Sequence, residues 1–198
     1  MSTKRGLFIV IYGVNNLGKT TQAKLLVARM EKEGYKAEYL KYPIYDLAPF
    51  GPILNNYLRS GNPYNFSPLE IQTIYALNRY QFEPELRKKI DQGINVVAED
   101  YIGTGLAWGI GAGVKENFLK ELNAPLLKED LAFLLYGERF KEAIENGHHH
   151  EENEELTEKV RLAHEKLADK LGWIKINANQ PIEQVASEIW DKFLKFDK

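Results

Sequence analysis

The chain alternates short, almost wholly apolar runs with longer segments whose apolar residues recur every three or four positions. The first run, Gly6-Leu7-Phe8-Ile9-Val10-Ile11-Tyr12, has no polar face and stops at Gly13, the pattern of a strand buried on both sides. Lys19 to Glu33 predicts a helix with Ala23, Leu26, Val27 and Met30 on one face and Gly34 as its stop. Lys36 to Leu40 predicts a weaker strand. Pro43, Pro49, Gly51 and Pro52 then mark an irregular stretch before a short helix over Ile53 to Arg59. Ser67-Pro68-Leu69-Glu70 pairs an N-cap with a first-turn proline and an acid. The helix it opens is expected to reach about Gln92, with Pro84 as a break or kink. Further strands are expected over Ile94 to Ala98, Leu131 to Tyr136 and Trp173 to Asn177. Pro181 starts a last helix striped by Ile182, Val185, Ile189 and Phe193.

Strands separated by helices require right-handed crossovers, so the pattern predicts the α/β class: a central five-stranded parallel sheet flanked by helices. The 198 residues fit a single domain over 1–198, with a polar segment at about 137–156 reading as a lid. Composition is ordinary, 44% hydrophobic and 27% charged. The net charge of −2 lacks the basic surplus of a nucleic-acid surface, so no nucleic-acid partner is expected. No apolar run reaches the ~18 residues of a membrane span. The N-terminus shows no secretory pattern, which makes the cytoplasm the expected location. The absence of cysteine excludes disulfides and thiolate metal sites.

The chemistry concentrates after the first strand. Gly13-Val14-Asn15-Asn16-Leu17-Gly18-Lys19-Thr20 fits the phosphate-binding pattern G-x-x-x-x-G-K-S/T, between a buried strand and a helix start. Its glycines let successive N–H groups wrap a polyphosphate, and the helix start adds a positive dipole end. Gly13, Asn15, Asn16, Leu17, Gly18, Lys19, Thr20 and Thr21 are therefore the candidate ATP-binding residues. Lys19 is expected at the β- and γ-phosphates, and the Thr20 hydroxyl on Mg²⁺. Val96-Val97-Ala98-Glu99-Asp100 is a buried strand ending in acids, which would hold a carboxylate near that ion. Glu99 joins Thr20 as a candidate metal ligand, and Lys19, Glu99 and Asp100 form the candidate catalytic set.

With these motifs in place, the chain resembles the thymidylate kinase family of P-loop nucleoside monophosphate kinases from Phe8 to Trp190. The carriers are the strand into Gly13, Gly18-Lys19-Thr20-Thr21-Gln22, Lys41-Tyr42-Pro43, Ala76-Leu77-Asn78-Arg79, Glu99-Asp100-Tyr101 and Asp130-Leu131-Ala132-Phe133-Leu134. The resemblance implies transfer of the γ-phosphoryl group of ATP to thymidylate, with Mg²⁺ as cofactor and a homodimer as the common assembly. It implies that Tyr75 stacks on the base and that Arg79 and Thr104 contact it. Trp108, with Gly105 beside it, would complete the pocket. Asn15 matches a sugar contact, and Lys41 an acceptor-phosphate contact. On residue type alone, Tyr75 and Trp108 also fit plain core or cleft aromatics, and Arg79 a solvated partner of Glu83.

The departures concern cations. The family has Asp-Arg where this chain has Glu99-Asp100, so an anion stands in an arginine's place. Ile44 and Tyr45 follow Pro43 where an arginine is usual, and neither the P-loop nor Gly147 to Glu155 holds one. Arg59, Arg139 and Arg161 are the candidate replacements. His148-His149-His150 reads as a solvated loop, since no ligand set at helical spacing accompanies it. Two other activities fit the same residues. A deoxynucleoside kinase would use Asp46, Glu99 or Asp100 as base on a neutral acceptor. A nucleotide-binding protein without turnover would keep the pocket and lack the transfer cations.

Overall fold

The computed structural model describes residues 4–140 and 154–197. Five strands form one parallel sheet: β1 (Phe8–Tyr12), β2 (Ala37–Lys41), β3 (Asn95–Glu99), β4 (Leu131–Tyr136) and β5 (Ile174–Asn177), in the spatial order β2-β3-β1-β4-β5. Seven helices are described: α1 (Lys19–Lys32), α2 (Phe50–Arg59), α3 (Pro68–Asp91), α4 (Ile102–Gly111), α5 (Glu116–Asn123), α6 (Glu154–Leu171) and α7 (Ile182–Phe196). β1, an unbroken apolar run, and β3, whose Val96, Val97 and Ala98 lie between Asn95 and Glu99, are buried at every position, as the middle of a covered sheet requires. Register pairs Ile11 with Glu99 and Tyr12 with Leu134, so the segments after β1, β3 and β4 emerge along one edge. From β1 the chain crosses outward to β2; after β3 it crosses to the other side. The carboxyl ends of β1 and β3 thus flank a topological switch point, where open α/β sheets place their ligands.

The expected strands and helices are present, with ends shifted by up to three residues. α3 opens with a complete capping box: Ser67 Oγ accepts from Glu70 N at 3.3 Å, and Glu70 Oε2 accepts from Ser67 N at 2.8 Å. α3 reaches Asp91, close to the expected end, and continues through Pro84 without a break. Leu86 and Ile90 beyond it are buried, and their packing outweighs the ~3 kcal/mol an interior proline forfeits. The α7 stripe differs at its first position: Ile182 is 54% exposed, and Trp190 joins Val185, Ile189 and Phe193 in the core. α4, α5 and the body of α6 have no counterpart in the sequence reading. α4 carries four glycines, which read as loop, yet it packs against α3 and α6. The segment 141–153, with most of the expected lid and the histidine triplet, lies outside the described residues.

Candidate active site

The P-loop runs directly off β1. Gly13 adopts φ 144°, and a Cβ there would lie 2.7 Å from the Leu135 carbonyl oxygen, so only glycine starts this turn. Leu17 buries its side chain in the core and anchors the loop from beneath. Lys19 is 5% exposed; its Nζ donates to the carbonyl oxygens of Gly13 (3.0 Å) and Val14 (3.1 Å) and lies 3.7 Å from Asp100 Oδ1. An ammonium folded back on its own loop in this way is satisfied without a ligand and already sits where a phosphate would arrive.

β3 delivers the acids. Glu99 Oε2 accepts from Thr20 Oγ1 at 2.6 Å and from Tyr39 Oη at 2.7 Å, while Lys41 Nζ lies 3.2 Å from Oε1. Burial alone would raise the Glu99 carboxyl, but Lys19, Lys41 and the two hydroxyl donors outweigh it and hold Glu99 below the usual carboxylate range. Asp100 behaves oppositely: burial and the neighbouring Glu99 charge raise it, against the pull of Lys19 and Thr104. Asp100 has φ 61°, a left-handed conformation that aspartate tolerates, and accepts from Thr104 Oγ1 at 2.7 Å. The Thr20 hydroxyl and the ionised Glu99 carboxylate are adjacent hard oxygens, a donor set that suits Mg²⁺.

One cleft of about 370 Å³ joins these groups to the second half of the candidate site. Asn15, Asn16, Gly18, Lys19, Thr20 and Thr21 line one end. Lys41, Tyr75, Arg79, Glu99, Asp100, Thr104, Gly105 and Trp108 line the remainder. Of the expected site residues, only Gly13 and Leu17 do not face it. Four cations (Lys19, Lys41, Arg59 and Arg79) and two carboxylates line this cleft, a local positive surplus in a chain of net charge −2.

Arg79 is not the solvated partner of Glu83. It is 3% exposed, and its Nε and Nη2 donate to Asn123 Oδ1 at 3.2 and 2.9 Å. Gly105 makes room for the guanidinium: a Cβ there would come within 3.0 Å of Nη2. Asn78, next to it on α3, fixes the loop after β2 by accepting from Ile44 N (2.8 Å) and donating to Ile44 O (3.0 Å). Of the replacement cations, Arg59 lines the cleft, with Nε donating to Asn55 Oδ1 at 2.9 Å. Arg161 is held by Glu158 and Glu165 at 2.6 and 2.5 Å on the surface of α6. Arg139 keeps Nε and Nη2 out of solvent without a hydrogen-bond partner, next to Phe140, whose N donates to Asn16 O at 2.8 Å. The sequence reading missed Tyr39, Tyr45 and Gln72. Gln72 was open to detection, because positions 72, 75, 76 and 79 share one helix face.

A phosphate-wrapping loop after the first strand, acids after its neighbour and a concave pocket between two helices define a P-loop phosphotransferase. The thymidylate kinase family model matches residues 11–189, and the chain belongs to that family. It is 30% identical to the human thymidylate kinase over 197 residues, covering 96% of this chain and 90% of that protein. Similarity to the Dictyostelium discoideum thymidylate kinase is also 30%, over 94% of this chain and 84% of the relative. The solved thymidylate kinase from Candida albicans superposes with a TM-score of 0.78 at 22% identity, over 98% of this chain and 94% of that one, and shares the fold.

Proposed function

We propose that the protein transfers the γ-phosphoryl group of ATP to thymidylate, giving ADP and dTDP, with Mg²⁺ bound by Thr20 and Glu99. The observation that carries this reading is the continuity of the cleft: one cavity is lined both by buried Lys19 with the P-loop residues around it and by Tyr75, Arg79 and Trp108.

Transfer between two phosphates needs positioning and charge neutralisation more than proton chemistry, because the acceptor oxygen is already anionic. The P-loop amides and the start of α1 hold the donor phosphates. Lys19 exchanges its two loop carbonyls for the β- and γ-oxygens. Mg²⁺ supplies charge neutralisation between donor oxygens when bound. Asp100 is the counter-ion of Lys19 until nucleotide arrives, and Thr104 keeps it in place. Lys41 and Arg59 are the cations placed to meet the acceptor phosphate, compensating for the arginines the family pattern puts after Pro43 and after Glu99. Tyr75 offers a flat face to the base, and Arg79 donates to a carbonyl on its edge.

The test is ATP consumption with dTMP, dUMP, dCMP, dGMP and thymidine offered separately, and chromatographic identification of the product. Formation of dTDP, with thymidine inert, is expected. ADP release with thymidine and not with its monophosphate would replace this reading with a nucleoside kinase.

A further inference from the structure

Gln72 lies one turn before Tyr75 on α3, faces the same cleft and is 5% exposed. Its stem runs alongside α4, where a Cβ on Gly109 would come within 3.3 Å of Gln72 Cγ. Gly105 and Gly109, one turn apart, thus leave space for two polar side chains from α3: Arg79 above and Gln72 below. Gln72 Oε1 is sealed from solvent and has no hydrogen-bond partner. A buried carbonyl left unpaired costs about 1–3 kcal/mol, and a leucine of similar size would fill the space without that cost. Gln72 lines the cleft, and a half-turn of its terminal amide, whose O and N ends have the same shape, brings this oxygen to face a bound ligand.

The chemistry of the pair narrows what that ligand presents. Arg79 offers N–H donors only, so it meets a carbonyl and cannot meet an N–H. A carboxamide carries an acceptor and a donor on one plane. A pyrimidine imide presents a carbonyl oxygen beside a ring N–H, which needs one donor and one acceptor side by side. Cytosine presents an amino group beside an unprotonated ring nitrogen, and its amino group would oppose Arg79.

We propose that Gln72 reads the acceptor base, its side-chain oxygen accepting the N3–H of thymine while Arg79 donates to the adjacent O4. This rests on the assignment of thymidylate as acceptor. The pairing is formed only in the complex, so Gln72 serves substrate recognition at the expense of the free protein's stability.

The experiment crosses Gln72→Leu with 3-deaza-dTMP, in which C3–H replaces N3–H and the oxygen on C4 becomes a hydroxyl, the second change being met alike by wild type and variant. Gln72→Leu is expected to lower kcat/KM for dTMP by about 10- to 100-fold, through KM, because it leaves N3–H unpaired. KM for ATP should not change, and the melting temperature of the free variant should hold or rise. With the 3-deaza acceptor both proteins lose what the altered C4 oxygen costs at Arg79, and the wild type should lose a further factor of about 10- to 100-fold that the variant does not. Equal losses from the variant with both acceptors would show that Gln72 does not act through N3–H and would overturn the proposal, as would unchanged dTMP kinetics. Gln72→Met repeats the comparison with a flexible chain if leucine packs badly. A wild type that ignores dTMP but phosphorylates another monophosphate refutes the thymidylate assignment itself, and that arm is read before any variant is made.

Discussion

Around Gly13 to Thr20 the site is made of main chain: a glycine at φ 144° and a lysine folded onto the carbonyls of its own loop. Between α3 and α4 it is made of side chains that meet only because two helices pack closely, Arg79 against Gly105 and Gln72 against Gly109. The first half depends on eight consecutive residues. The second depends on positions some thirty residues apart, on a carboxamide from α5, and on a loop after β2 held by Asn78. A backbone-built half tolerates change around it, whereas a side-chain-built half can be retuned one residue at a time. The exchanges at Asp100 and after Pro43 lie outside the eight-residue loop, at single positions after β3 and β2.

The largest effect should come from breaking the main-chain half. Lys19→Ala is expected to lower kcat by about 10³-fold or more, the scale of losing a cation at the transferring phosphate. Circular dichroism should show the fold retained. Turnover near the wild-type level would remove the P-loop from the mechanism.

Next in size is the exchange that sharpens the contrast between the halves. Asp100→Arg restores a cation where the family pattern has one, and should raise kcat/KM for the monophosphate by on the order of tenfold. The same change should lower the stability of the free protein, since Lys19 loses its counter-ion and a long side chain takes up φ 61°. A collapse in activity would mean that the Asp100 carboxylate itself acts in transfer.

Arg59→Gln should raise KM for the monophosphate by about tenfold and leave KM for ATP unchanged, because only the acceptor phosphate meets that side chain. An effect on ATP alone would move Arg59 to the donor side.

How much of this was readable in the sequence follows the same division. The P-loop announced itself because its function needs particular residues in a row, and β1, the middle of β3 and β4 because burial on both faces favours an apolar run. The expected cleft residues Tyr75, Arg79, Thr104, Gly105 and Trp108 do converge. α4 was not legible, because its glycines serve close packing rather than a turn: a Cβ on Gly103 would lie 2.4 Å from the Trp173 ring, about seventy residues away. Residue type alone left a solvated Arg79 open beside the base-contact reading for the same reason, since Asn123 comes to it only through the fold. Gln72 carried no motif. Its unpaired oxygen is a property of the packed cleft.

The effect smallest at neutral pH, and seen only on acidification, lies outside both halves. His164 is buried, with Nδ1 3.0 Å from the Val160 carbonyl oxygen, and burial together with Lys19 pushes its pKa down to about 3. The folded state therefore keeps it neutral where the unfolded chain protonates it. Stability should be at its plateau above about pH 6.5 and fall as pH drops toward 3, by up to ~1.4 kcal/mol per pH unit from this group. In His164→Leu, denaturant titrations across this range should give a flatter acid limb. An unchanged limb would assign the acid sensitivity to the carboxylates, Glu99 among them.

The account's central claim is that one cleft holds donor and acceptor nucleotides together for direct transfer. Calorimetry with adenosine and thymidine joined 5′ to 5′ through five phosphates tests it most directly, in the presence of magnesium. Both halves should engage at once, so the linked compound should bind at least about 100-fold tighter than ATP, and Tyr75→Ala should remove most of that gain. Affinity equal to that of ATP, indifferent to Tyr75, would mean that the second half of the cleft does not receive the acceptor.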